Sequence, residues 1–257
     1  DIVATNNAVA AGIVVVASAG NSGDIIYSTG SPGNADKAIG VASSMDGFAV
    51  LDGFEVDAPA DIAGVYAGSQ SVAYDWTSSD LPITGKLVYP LVGANPAKNQ
   101  QTGCYTFDIT NTQIISGNIV VLDWSEPSCG GSVARTANAV AAGAIGVLMP
   151  DNSEIFDLYI TGSAVVPAYS IPKGTGTLLK NALAGGIVTV TLTAEHQGSV
   201  PYTEPASLDI IAASSSRGPR GTDSKLKPDV TAPGDSIFAA AMGTGDEGVS
   251  FSGTSMA

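Results

Sequence analysis

The sequence predicts an α/β protein in which a parallel sheet, supplied by two separate chain segments, is interrupted by a second α/β domain. Three observations carry this. "IVVVASAG" (13–20) is a continuous apolar, β-branched run, as expected of a parallel-sheet strand buried on both faces. In the middle of the chain a strand, helix, strand grammar repeats: "GNIVVLDW" (117–124), "SVARTANAVAAG" (132–143) and "AIGVLMP" (144–150). Finally, the texture of the first 46 residues breaks near Gly47 and returns near 207. This predicts a domain made of 1–46 and 207–257, with 47–206 inserted in it and the insert's core at about 83–195.

Each element has its own signal. Residues 4–12 read as the end of a helix closed by Gly12. "AIGVASSM" (38–45) reads as the strand after 13–20, and 48–82 as short strands separated by Asp, Pro and Gly. Ser132 is placed as the cap of the helix over 132–143, which Gly143 stops. "VVPAYSIP" (165–172), "GTGTLLKNALAGG" (174–186) and "IVTVTLTA" (187–194) give another strand, helix and strand. "LDIIAASSSRGP" is expected to be a strand entering a turn, and 225–241 to alternate turn prolines with a buried strand.

Composition narrows the function. Hydrophobic residues make up 44% of the chain and charged residues 13%, which a globular core requires and a disordered tail lacks. The net charge of −14 leaves no basic footprint for nucleic acid. Apolar runs such as "AVAAGIVVVASAG" are short and broken by glycine, so no membrane span is expected. The acidic balance suits a secreted protein kept soluble by self-repulsion. Cys104 and Cys129 allow one disulfide, which would add roughly 3 kcal/mol by loop closure; the other reading is two unrelated buried thiols.

Two residues suggest chemistry. Ser255, in "FSGTSMA", follows Gly253, which permits close approach of a substrate carbonyl, and a serine at a first helical turn has backbone N–H groups at hand for an oxyanion. Asn21 ends an apolar strand in "VVVASAGNSG", where α/β sheets place ligands, and its amide can donate. Plain alternatives are a turn serine and a turn asparagine.

"VVVASAGNSG", "SSRGP" (215–219), "KPDVTAPG" (227–234) and "GTSMA" (253–257), in that order, resemble the subtilisin-like serine proteases. The resemblance implies that Ser255 is the nucleophile and Asn21 the side-chain donor of the oxyanion hole, with the Ser255 N–H as second donor and Thr254 assisting. It also implies that Ser18, Ala19 and Gly20 line one wall of the specificity pocket and pair with substrate backbone. Asn21 and Ser255 are 234 residues apart, about one domain more than the motifs need. The excess, notably "SGNIVVLDWSEPSCGGSVARTANAVAAGAIGVLMPDN", resembles the protease-associated (PA) domain of secreted subtilases. Such domains imply substrate positioning or protein interaction.

A serine triad also needs a histidine and an aspartate. The lone histidine, His196 in "LTAEHQGS", lacks the family's context and reads as a surface residue at a strand end. Asp24, Asp46 and Asp52 read as turn and loop carboxylates. The expectation is therefore a fragment, cut from a secreted endopeptidase acting on proteins or peptides, with the Asp and His upstream. Ser255 should fray, the fragment should be inactive, and its flank strands should self-associate through exposed apolar surface. No cofactor is expected. Asp151, Glu154 and Asp157 are spaced like calcium ligands but read as a solvated loop. The stretch 28–37 sits where the family often holds a weak cation, so structural calcium belongs to the parent at most. One histidine and two distant cysteines do not make a zinc site.

Overall fold

A computed structural model describes residues 1–125, 129–156, 158–245 and 248–257. The chain falls into two compact units, Asp1–Val50 with Thr203–Ala257, and Leu51–Tyr202.

The first unit opens with helix α1 (Ile2–Ala10), which buries none of its residues. Its end is a Schellman motif: Gly12 N–H donates to Val9 and Ile13 N–H to Ala8, with Gly12 at φ +95. Only glycine adopts that conformation cheaply, so the helix stops there. Strands β1 (Val16–Ser18) and β2 (Ile39–Ser44) pair in parallel, Val16 opposite Ile39 and Ser18 opposite Val41. β1 is shorter than the apolar run that predicts it. Ile13 and Val14 lie outside the ladder, 57% and 77% exposed, because among the described residues β1 has a partner on one side only. The strand covered on both faces is β2, which is buried from Gly40 to Ser44.

The second unit takes in most of β3 (Phe48–Ala58), then β4 (Gly64–Gln70), β5 (Ile83–Val88), α2 (Ile109–Ile115), β6 (Ile119–Val121), α3 (Gly131–Ala141), β7 (Gly146–Pro150), β8 (Ala168–Ile171), α4 (Lys173–Gly185), β9 (Thr189–Leu192) and most of β10 (Val200–Thr203). Their sheet order is β10-β3-β4-β8-β7-β6-β5-β9, and β9 also pairs with β3, so the sheet closes on itself. β5 to β8 are parallel. Strand alternation splits the core in two. Ile119, Val121, Leu148 and Tyr169 face one apolar cluster with Phe54, Val190 and Leu192. Val120, Leu122, Val147 and Met149 face another, with Ile115 of α2 and Ala139 of α3.

Several expectations are corrected in this unit. β3 is a single eleven-residue strand and not a set of short ones, because it pairs with both β4 and β9 and absorbs a bulge between Val56 and Ala58. Asp52 is therefore a strand residue; its carboxylate accepts from the N–H groups of Gln70 and Gly198, each at 2.9 Å. Ser132 does not cap α3, which starts one residue earlier, at Gly131, with Gly130 in the cap position. Its buried Oγ instead accepts from the N–H groups of Thr161 (3.0 Å) and Gly162 (3.1 Å). His196 bonds Glu55 Oε1 at 2.8 Å and is only partly exposed, with its Cβ close to Gly53 of β3.

Cys104 and Cys129 are joined as a disulfide, with Cα atoms 5.1 Å apart. Beside it Arg135, 1% exposed, donates to the Asp123 carbonyl at 2.8 Å and lies over the Trp124 ring at 4.6 Å.

The chain then returns to the first unit with β11 (Val230–Pro233), β12 (Ile237–Ala240) and β13 (Gly248–Phe251). β11 runs parallel to β2 on the edge opposite β1, Val230 against Val41, and β12 and β13 form a hairpin. Residues 208–219 do not form the expected strand. They make one isolated bridge, Ser44 to Ile211, because β11 and β1 already occupy most of β2's two edges.

Candidate functional site

The parallel ladder sets the site. Ala19 N–H donates to Val41 O and Ile39 N–H to Val15 O, so the odd residues of β1 bond β2. By alternation the N–H and C=O of Ser18 face the open edge of β1. Just past the strand, Gly30 N–H donates to Ala19 O (2.8 Å), Ser216 N–H to Gly20 O (2.8 Å), and Gly20 N–H to Thr254 Oγ1 (3.1 Å). Asn21 follows and is exposed.

The second wall grows from β11. Gly234 N–H donates to Ser44 O (3.0 Å), and Gly253 N–H to Gly234 O (2.7 Å). This delivers residues 253–256 as a turn closed by Met256 N–H to Gly253 O at 3.0 Å. Thr254, 2% exposed, then bonds Asn21 twice: its N–H at 2.9 Å and its hydroxyl at 3.0 Å both donate to Asn21 Oδ1. A backbone N–H can only donate, so the atom facing it must be the amide oxygen. Asn21 Nδ2 is thereby left as the amide's donor, and it makes no hydrogen bond among the described residues. The fit needs glycine at 253, where φ is +143 and an added Cβ would stand 2.9 Å from Asn21 Nδ2.

Ser255 is exposed in this turn, and its hydroxyl has no hydrogen-bond partner among the described residues. The segment is not frayed, contrary to expectation, because Gly253 and Thr254 are anchored from the preceding side. Asn21 and the residues flanking Ser255 thus share one hydrogen-bonded constellation.

Three of the implied site residues are already engaged within the chain. Thr254 is buried and its hydroxyl is committed at both ends, donating to Asn21 and accepting from Gly20. Ala19 and Gly20 have their N–H and C=O groups engaged within the chain, which leaves Ser18 as the residue with backbone groups turned to the strand's free edge.

A network absent from the sequence reading braces the same unit. Arg220 bonds Asp36 and Asp223, Lys225 bonds Asp36, and Lys227, 4% exposed, donates to Ala38 O (2.7 Å) and Asp229 (2.6 Å). Asp229 also accepts from Gly40 N–H at 2.6 Å, which locks the start of β11 to β2. Lys225, then Arg220, holds Asp36 below the usual carboxylate range, and Arg220 does the same to Asp223. For Asp229 burial pushes upward, but Lys227 and the Gly40 amide outweigh it and the pKa is lowered. The available signal was four Lys or Arg within 217–227, of ten in the chain, interleaved with Asp223 and Asp229.

Asp24 pairs with Arg217 at 3.2 Å, and Asp46 Oδ1 accepts from Phe48 N–H at 2.9 Å as a turn residue. Glu154 pairs with Lys173, Asp151 accepts from Ser153 N–H, and Asp157 lies outside the described residues. Among the described residues, no group of three or more His, Cys, Asp and Glu is placed to hold a metal, and no helix is long and apolar enough to cross a membrane.

Residues 2–257 match the family described as Peptidase S8, Subtilase family. The chain is 26% identical over 247 residues to "Subtilisin-like protease SBT1.7" of Arabidopsis thaliana, covering 90% of this chain and 28% of that protein. It is 27% identical over 235 residues to "Minor extracellular protease Vpr" of Bacillus subtilis (strain 168), covering 90% and 25%. Among solved structures, the psychrophilic subtilisin-like protease Apa1 from Pseudoalteromonas sp. AS-11 is similar, with a TM-score of 0.43, 16% identity, and coverage of 81% of this chain and 53% of that one. The chain spans 20% to 28% of the length of the curated relatives it matches.

Proposed function

The chain belongs to the Subtilase family, and from its constellation we propose that it carries the nucleophile and the oxyanion donor of a secreted serine endopeptidase. Ser255 Oγ attacks the scissile carbonyl, its proton passing to a histidine supplied by the remainder of the longer protein. Asn21 Nδ2 and the Ser255 N–H donate to the oxyanion that forms, and collapse expels the amine and leaves an acyl-enzyme for water to cleave. Ser18 offers backbone groups to a peptide, while Ala19 and Gly20 shape the wall behind it. The observation that carries this reading is the pair of hydrogen bonds to Asn21 Oδ1 from Thr254, the residue next in sequence to Ser255, which commits the amide oxygen and leaves the amide nitrogen free to donate.

Alone, the 257-residue chain should be inactive. Its lone histidine bonds Glu55, and the Ser255 hydroxyl has no partner among the described residues. The test is a fluorophosphonate probe, which should label Ser255 of the full-length protein stoichiometrically and leave this chain unlabelled. An unreactive full-length protein would overturn the endopeptidase reading.

Residues 47–206 we read as an inserted PA domain that positions protein substrates or binds a partner. Support comes from the unit's own closed sheet and paired cores. With no base at Ser255, the isolated chain then acts as a binding module with inert flanks. Those flanks expose Val14, Val16, Val230, Phe238 and Phe251, and self-association through them should appear as concentration-dependent mass in sedimentation equilibrium.

A further inference from the structure

We propose that Arg220 is a positioning residue: its fork fixes the loop 29–36 against the strand end that carries Asn21, and so sets how tightly a peptide substrate is held. The proposal rests on the endopeptidase reading above and extends it to a residue that touches no reacting atom.

Arg220 is 8% exposed, so its charge is held by partners and not by water. The guanidinium reaches three of them. Nε donates to Asp223 Oδ1 at 2.5 Å, Nη2 to Asp36 Oδ1 at 2.9 Å and to Asp223 Oδ2, and Nη1 to the Asn34 carbonyl at 3.1 Å. Two of those targets, Asn34 and Asp36, belong to the loop. Inside it, Asn34 N–H donates to Gly30 O (2.9 Å) and Asn34 Nδ2 to Thr29 O (3.2 Å). Gly30 N–H in turn holds Ala19 O, and a Cβ on Gly20 would come within 3.5 Å of Gly30 N. The loop is therefore the surface stacked beside residues 19 and 20, braced from behind by one arginine. A lysine offers a point charge and cannot reach carbonyl and two carboxylates together.

The Thr254–Asn21 contact has its own hydrogen bonds and does not pass through Arg220. Releasing the loop should thus alter substrate holding more than the chemical step.

The test has two arms. In the 257-residue chain, hydrogen exchange of the amides in 29–36 should accelerate at least about tenfold in Arg220→Met, less in Arg220→Lys, with β2 amides unchanged. Asp36→Asn, which removes the charge from one arm of the brace and keeps the arginine, should give a smaller acceleration in the same segment. In the full-length protein, Arg220→Met should raise KM for a peptide substrate about tenfold with kcat within about twofold, partly rescued by Arg220→Lys. Unchanged loop exchange, a fall in kcat at constant KM, or unaltered constants would overturn the proposal. A wild-type protein that ignores the fluorophosphonate probe would instead remove the reading on which it rests.

Discussion

Asn21 Oδ1 accepts both the N–H and the hydroxyl of Thr254, at 2.9 and 3.0 Å, across 233 residues of sequence. Between those residues lies the whole second unit, so the contact is made by the ladder of the first unit and not by chain proximity. β2 sets β1 on one edge and β11 on the other, and each delivers one partner. A conservative change at either residue should therefore act on turnover.

Asn21→Ala in the full-length protein should lower kcat by about 100- to 1,000-fold, the size known for removing this kind of donor in subtilisin. KM should stay near its original value. Thr254→Val, which keeps shape and removes the hydroxyl, should cost less, because the backbone N–H still anchors the amide. Steady-state kinetics on one peptide substrate checks both, and a Thr254→Val variant as slow as Asn21→Ala would count against the second anchor.

Ser255→Ala should abolish probe labelling while leaving thermal unfolding unchanged, since Ser255 is exposed and its hydroxyl bonds nothing among the described residues. Calorimetry of the paired proteins decides this. A large drop in Tm would assign the residue to packing.

Acid should act on the first unit late. Asp36, Asp223 and Asp229 all have folded pKa values below their ordinary 3.8. A depressed carboxylate stabilises the fold fully above its unfolded pKa, and loses that contribution as pH falls through the lower folded value. The unit should hold its Tm down to about pH 4 and lose it below. Asp223→Asn should lower Tm at pH 7 and flatten the acid limb, measured by circular dichroism across pH.

Reducing Cys104–Cys129, or replacing both by serine, should destabilise the second unit by roughly 3 kcal/mol, the loop-closure value for such a span. The bridge spans 25 residues. Denaturant titration with and without reductant measures it, and no shift would mean the reduced chain keeps the loop closed by other contacts.

Leu148→Ala should cost about 2 to 5 kcal/mol, because a fully buried leucine in a closed sheet leaves a cavity that the surrounding strands cannot fill.

Much of this architecture was legible as pattern. Runs of β-branched residues gave β2, β6, β7 and β9, and Gly12 gave the end of α1. What pattern could not give was partnership. β1 is short because only three residues face β2, and no periodicity reports a missing neighbour. Ser132 has the right residue type for a cap, yet its hydroxyl serves Thr161 and Gly162 from across the unit. Asn21 and Ser255 stand out by their motifs, whereas the burial of Thr254 depends on a contact between distant segments. The Arg220 brace is likewise long-range, joining residues more than 180 positions apart.

The middle strand of the three-stranded sheet carries a consequence for biosynthesis. β2 leaves the ribosome with β1 at hand, but β11 emerges only after some 185 further residues have been translated. The intervening unit is contiguous and has all its own strand partners, so it can collapse first. Until β11 arrives, one edge of β2 stays unpaired, which leaves its backbone groups open to non-native strand pairing.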